Sequence, residues 1–328
     1  MKRRTLIGAS GLWLAPLGIL AQPARKVYRI GMLGVGADTA EMAGPKPTNP
    51  PTAALLGGLR ELGYLYGETF VTEPRSAEGQ VERFPGLVAD LIRLQVDVIV
   101  AAGPALAACK QATSTLPIVM AGAEDPVGLG VIKSLARPGI NFTGLSNQSV
   151  EVTVKKLEML KEIVPGAAPV AVLWDPAALL SWQALQAAAR QRGWKLLSFE
   201  VHDAVEMEAA MKAAAAAKAG ALLPVGGFAF RYAKRIAELA LMSRLPAAYS
   251  GNTLQVGDTG LLSYSADLNV IWHRAAAFVD KILRGAKPAD LAVEQPTLFE
   301  MVVNLKTAKA LGIKIPYTIM LRANRVIE

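Results

Sequence analysis

The chain has 328 residues, 52% hydrophobic and only 6% aromatic, enough for two lobes with separate cores. Charged residues make up 19% without long runs of one sign, which excludes wholesale disorder; the formal charge of +8 falls by three without Lys2, Arg3 and Arg4. No basic run is interleaved with aromatics, so no nucleic-acid partner is expected.

The chain opens "MKRRTLIGASGLWLAPLGILAQPA". A basic start, an apolar run from Leu6 to Leu20 and a small residue at Ala21 predict a secretory signal over 1–21, maturation at Gln22 and a periplasmic location. The run is short for a membrane span and is interrupted by Gly and Pro. "RRTLI" fits either a general or a twin-arginine export route. Cys109 is the single cysteine, so there is no intramolecular disulfide and no cysteine near the cut for lipid attachment.

Strand-like runs then alternate with helical patterns. "KVYRIGML" precedes a Pro-rich loop and a helix with Leu55, Leu59 and Leu62 on one face. "VDVIVAAG" leads into "PALAACKQAT", with Pro104 suited to a first helical turn. "LPIVMAGA" is followed by the Gly- and Pro-rich stretch from Ala123 to Ser146, and then by Val150, Val154, Leu157, Leu160 and Val164 at helical spacing. "PVAVLWDP" begins a second series containing "KLLSFEV", "GALLPVGG" and "LPAAYS". "GLLSYSAD" precedes a helix with Ile271, Ala275, Phe278, Val279 and Ile282 on one face, and "LFEMVVNL" supplies a last strand. Continuous apolar strands separated by helices predict an α/β protein with two doubly wound parallel-sheet lobes joined by crossing segments. The expected division is 27–146 plus 260–295 for the first lobe and 147–259 plus 296–328 for the second.

Ligands of open α/β sheets sit beyond the carboxyl ends of strands. That rule selects Gly34 to Asp38, then Gly103, Pro104 and Ala105 at a helix start, then Ala123 to Asp125, Trp174 and Asp175, and Gly226 to Phe228, with Gly34, Asp125 and Phe228 the candidates within their spans. Tyr249 and Tyr264 join them as aromatics near strand ends, able to wall an apolar pocket. Asp125 has two readings: a turn-forming Asp before Pro126, or a carboxylate that pairs with a ligand's charged group. Asp267, ahead of a helix, reads as an N-cap. "GVGADT" lacks the third glycine of a dinucleotide fingerprint, and no phosphate loop or Gly-x-Ser-x-Gly elbow occurs. His202 and His273 stand far apart beside one lone Cys, too few ligands for zinc. No cofactor, no metal and no catalytic residue are therefore expected.

The strings "GLRELGY", "RFPGLVADLIRLQVDVIV", "KQATSTLPIV", "DPVGLG", "SLARPG", "NFTGLS", "VAVLWDP", "GLLSYSAD" and "VEQPTLFEMVVNLKTAKALGIKIP" together resemble one family. It is the ABC-transporter substrate-binding proteins of the large bacterial group that includes tryptophan-binding members. The resemblance implies a type I periplasmic-binding fold with the ligand clasped between lobes. It places cleft segments at Gly103 to Leu106, Asp125, Thr143 to Ser146, Trp174 to Pro176 and Tyr264. The chain departs from the family pattern at Gly103-Pro104, where a hydroxyl-bearing residue is missing, and at Ile140 in "RPGI".

The function expected is a periplasmic solute-binding protein serving an inner-membrane ABC permease, with no enzymatic activity. Its ligand would be a small molecule, an amino acid or another aromatic or carboxylate compound. The alternatives are an exported sensing subunit read by a membrane receptor, and an enzyme using the same cleft.

Overall fold

The computed structural model describes residues 26–251 and 259–328. The signal segment 1–21 and the cut before Gln22 lie outside the described residues.

The first lobe is a five-stranded parallel sheet in the order β2-β1-β3-β4-β5, built from β1 (Tyr28–Gly34), β2 (Phe70–Ser76), β3 (Val98–Ala101), β4 (Ile118–Ala123) and β5 (Phe142–Ser146). The central strands are apolar at every position because both faces are covered. Helix α1 (Pro50–Glu61) covers one face over Ile30, Met32, Val98 and Val100. Helices α2 (Phe84–Arg93) and α3 (Ala105–Ala112) cover the other over Leu33, Ile99 and Met120. Strand β2 is absent from the runs named in the sequence. It alternates buried and half-buried positions and carries Pro74, both features of an edge strand.

The second lobe contains β6 (Val170–Trp174), β7 (Leu196–Glu200) and β8 (Ala221–Val225) in the order β7-β6-β8. A bridge between Leu222 and Ala247, with Leu222 N donating to Pro246 O at 2.9 Å, continues the sheet into β9 (Ala248–Tyr249). Beyond it lie β10 (Leu262–Ala266), β11 (Phe299–Asn304) and β12 (Arg325–Ile327), with β10 and β11 antiparallel. One face is covered by α4 (Ser149–Ile163) and α5 (Leu179–Arg192), the other by α6 (Ala204–Ala216), α7 (Gly227–Arg231) and α8 (Ala233–Met242).

The chain crosses between lobes three times. It leaves the first lobe after β5 and returns as α9 (Leu268–Leu283), which packs on α1. Asp267 caps α9 by accepting from Asn269 N at 2.7 Å, as its position before the helix suggests. A connecting stretch then runs beside β5, where Ser146 N donates to Glu294 O at 2.9 Å, and leads into β11. Helices α10 (Leu305–Leu311) and α11 (Tyr317–Arg322) complete the second lobe.

Two sequence expectations need correction. The boundary at 260 places residues 262–266 in the first lobe, but as β10 they pair with β9 and β11 of the second sheet. The chain crosses only after Ala266 because the apolar faces of Leu262 and Tyr264 find their neighbours there. On α4 the buried stripe runs through Val152, Thr153, Lys156, Leu157, Leu160 and Ile163, while Val150 and Val154 are only half-buried.

Candidate functional site

The lobes meet beyond the carboxyl ends of β4, which leads into Glu124, and β6, which leads into Ser181. From the first lobe, Glu124 follows the last residue of β4 and is half-buried. From the second, Ser181 in the first turn of α5 is fully buried and donates its hydroxyl to Glu124 Oε1 across the seam. Lys156, also fully buried, projects from α4 and donates to Ser250 Oγ, just past β9. Burial drives the Lys156 ammonium down to about 7, with Glu124 pulling the other way. Burial pushes the Glu124 carboxyl up; the Ser181 bond and Lys156 oppose this, while Asp175 and Asp125 add to it. Lys156, Asp175 and Asp125 therefore lie within electrostatic reach of Glu124. A second cross-lobe contact lies nearby: the Arg231 guanidinium, from the end of α7, rests against Gly79 of the first lobe.

Asp175 is largely buried, and its carboxylate serves the backbone. Oδ1 accepts from Ala178 N at 3.1 Å and Oδ2 from Phe228 N at 3.0 Å, so one side chain ties the loop after β6 to the turn after β8. Burial raises its carboxyl, and the surrounding backbone N–H groups pull it back. Gly226 makes room for it: at φ +107° it sits where a Cβ would come within 2.6 Å of Asp175 Oδ2.

The residues selected from the sequence divide accordingly. Gly103 and Pro104 remain half-buried at the seam, at the start of α3. Tyr264 is also half-buried and stacks on Phe299 at 5.6 Å, so the two crossing strands carry one aromatic pair. Asp125 turns its carboxylate onto its own loop, where Oδ1 accepts from Gly128 N at 2.8 Å. The others are engaged elsewhere. Trp174 stacks on Trp182 at 5.7 Å in the core and donates its ring N–H to Ser198 Oγ at 2.9 Å. Phe228 and Tyr249 belong to the core under α6 and α8, where burial pushes the Tyr249 hydroxyl up. Thr143 lies inside the sheet and donates to Leu291 O at 2.8 Å. Ser146 Oγ accepts from Gln148 N at 3.1 Å in the turn out of β5. Gly34 and Ala105 are buried against neighbouring elements, Gly34 beside Met42 and Ser76.

Lys156, Ser181 and Ser250 are not selected by sequence reasoning, and Glu124 falls within the selected span Ala123 to Asp125 without being singled out. A signal for Lys156 exists: it falls four residues after Val152 and four before Leu160, a charge in an apolar stripe. Glu124 lies inside the selected strand end but beside an Asp-Pro pair that claims the turn. An open groove of about 610 Å³, lined by Leu305, Ala308, Ile313, Ile315 and Met320 among others, belongs to the second lobe alone and takes no part in the seam. Among the described residues no cluster of His, Cys, Asp and Glu has the makings of a metal site, and no helix is long and apolar enough to cross a membrane.

Two α/β lobes, crossed three times by the chain and meeting over buried charge, define the class of two-lobed periplasmic-binding-type proteins. Residues 52–327 match the family described as ABC transporter substrate binding protein, and the chain belongs to that family. It is 22% identical over 264 residues to a tyrosine-binding protein of Clostridioides difficile strain R20291, covering 79% of this chain and 75% of that one. It superposes on a Streptococcus pneumoniae domain in complex with L-Trp at a TM-score of 0.81 and 24% identity, covering 92% of this chain and all of that one (100%). Against the ligand-free, open structure of a Clostridium difficile substrate-binding protein with adhesive properties, the TM-score is 0.64 at 21% identity, with 92% and 99% covered.

Proposed function

We propose that this protein is a periplasmic binding component that clasps an amino acid between its lobes and delivers it to an inner-membrane ABC importer. The observation that carries this is the hydrogen bond from Ser181 to Glu124. It joins residues of opposite lobes and exists only with the lobes together, as hinge closure over a ligand requires. The lower TM-score against the open, ligand-free relative than against the L-Trp complex agrees with a closed arrangement. An amino acid fits because the seam holds charge of both signs, and because two relatives carry tyrosine or tryptophan in their descriptions. Tyr264 and Phe299 offer an apolar wall for an aromatic side chain. The basic-apolar-small pattern from Lys2 to Ala21 supports export to the periplasm.

Mass spectrometry of small molecules released on denaturing protein purified from a periplasmic fraction tests the proposal. An aromatic amino acid in stoichiometric amount is the expected result. Release of only non-amino-acid compounds, with no heat on titrating L-tryptophan or L-tyrosine, would discard it.

Asp125 supports the cleft wall through its turn. Asparagine accepts the same bond from Gly128 N, so Asp125→Asn should bind within about threefold of wild type. Calorimetric titration decides the matter, because a weakening of about 30-fold or more is what losing a charged ligand contact costs.

A further inference from the structure

We propose that Glu124 and Lys156 form a specificity-determining pair that reads both ends of a zwitterion: Lys156, beside Ser250, takes the ligand's carboxylate, and Glu124 takes its ammonium. The proposal rests on the amino-acid reading above and assigns its charge-reading residues.

The geometry has three parts. The two side chains come from opposite lobes and meet at the seam, Glu124 from the end of β4 and Lys156 from the middle of α4. Both retain unused bonding capacity. A lysine ammonium has three N–H donors, and among the described residues only Ser250 Oγ accepts from it. Among the same residues Glu124 accepts through Oε1 alone, from Ser181. Finally, Lys156 is completely enclosed. An enclosed charge is costly, and an apolar side chain of the same length would suit α4's inner face better if packing were all that mattered. A carboxylate beside Lys156 and Ser250 would accept from the ammonium, and an ammonium beside Glu124 would donate to its second oxygen. Lys156 and Glu124 also act on each other electrostatically across the seam.

The pair also makes binding proton-linked in a defined direction. Burial holds the Lys156 ammonium down to about 7. At pH 8 it is mostly neutral, and a bound carboxylate favours its charged form, so binding takes up a proton. Affinity is then fully present below pH 7 and declines as pH rises through the bound-state value. Glu124 is the titratable group acting on it; Asp125 and Asp175 act on Glu124 in turn, and the hydroxyls of Tyr249 and Tyr264 are pushed above their ordinary range by burial.

The test begins with a thermal-shift screen of the twenty protein L-amino acids against the mature chain. The tightest becomes the calorimetric probe, alongside its decarboxylated amine and its deaminated acid. Titrations at pH 8 in phosphate and in Tris separate proton uptake from binding heat. Wild type should take up a proton and reject both truncated probes. Lys156→Met should fold, since methionine matches the stem, bind on the order of 100-fold more weakly and lose the uptake. Glu124→Gln should narrow the preference for the amino acid over its deaminated acid by at least about tenfold while keeping the uptake, which assigns the proton to Lys156. Melting temperatures monitor folding. If an amino acid binds but both variants keep affinity within about threefold and the same uptake, this inference is overturned and the amino-acid reading stands. If no amino acid binds, both fall.

Discussion

Gly144→Ala should destabilise the first lobe by roughly 3–5 kcal/mol, a large share of the 5–15 kcal/mol that holds a typical domain folded. Gly144 lies within β5 at φ +124°, in a backbone region that residues with a side chain rarely enter. A Cβ there would come within 2.6 Å of Met120 N and closer still to Met120 O. These are backbone atoms of the neighbouring strand, so no rotamer change relieves the clash. The conformational strain alone costs about 1–3 kcal/mol, and separating β4 from β5 adds the rest. The damage extends to the hinge, because Gly144 O accepts from Glu294 N at 2.9 Å in the last crossing segment. Urea unfolding of the purified variant should show a much lower midpoint with an unchanged slope. A loss below about 1 kcal/mol would mean that β5 shifts freely at this point, contrary to the packing described.

The second large effect is expected at Asp175. Asp175→Ala removes the acceptor of two backbone N–H groups, those of Ala178 and Phe228, in a largely buried corner of the second lobe. Each donor left without a partner costs about 1–3 kcal/mol, so the variant should lose roughly 2–5 kcal/mol. Asp175→Asn keeps one acceptor oxygen and turns an amide N–H₂ toward the other donor, so it should fall between wild type and alanine. Because Asp175 ties the turn leading into α7 to the loop after β6, amide hydrogen exchange should quicken at both Phe228 and Ala178. Loss at one site only would show that the side chain caps a single turn. Unchanged protection at both would remove its bracing role.

Much of this fold was readable because parallel sheets covered on both faces need uninterrupted apolar strands. "VDVIVAAG", "LPIVMAGA" and "PVAVLWDP" all meet that need, and each supplies a central strand. Strand β2 escaped notice because an edge strand is half-exposed and tolerates Pro74. The site was harder to read for a related reason. Strand ends can be located from sequence, but which side chains there face the seam depends on packing. Trp174 and Tyr249 sit at strand ends and turn into the core. Lys156 sits on a helix, outside any strand-end rule, and reaches the seam only because α4 packs against β9 and β10. The Asp-Pro signature at Asp125 marks a turn, while its neighbour Glu124 makes the bond across the seam.

The interleaving of the lobes also bears on how the protein is made. Leu55 and Leu59 of α1 are buried in the same core as Ile271, Ala275 and Val279 of α9, yet more than two hundred residues separate the two helices along the chain. All five strands of the first sheet are complete by Ser146, but the helix that seals one face emerges only after most of the other lobe has been synthesised. At roughly 5–20 residues per second, a nascent chain carries that open apolar face for about 7 to 27 seconds. The second lobe waits in turn for β11 and β12 at the carboxyl end. Neither half is a self-sufficient folding unit, and a chain cut near the first crossing would keep a greasy surface that only a chaperone could shield.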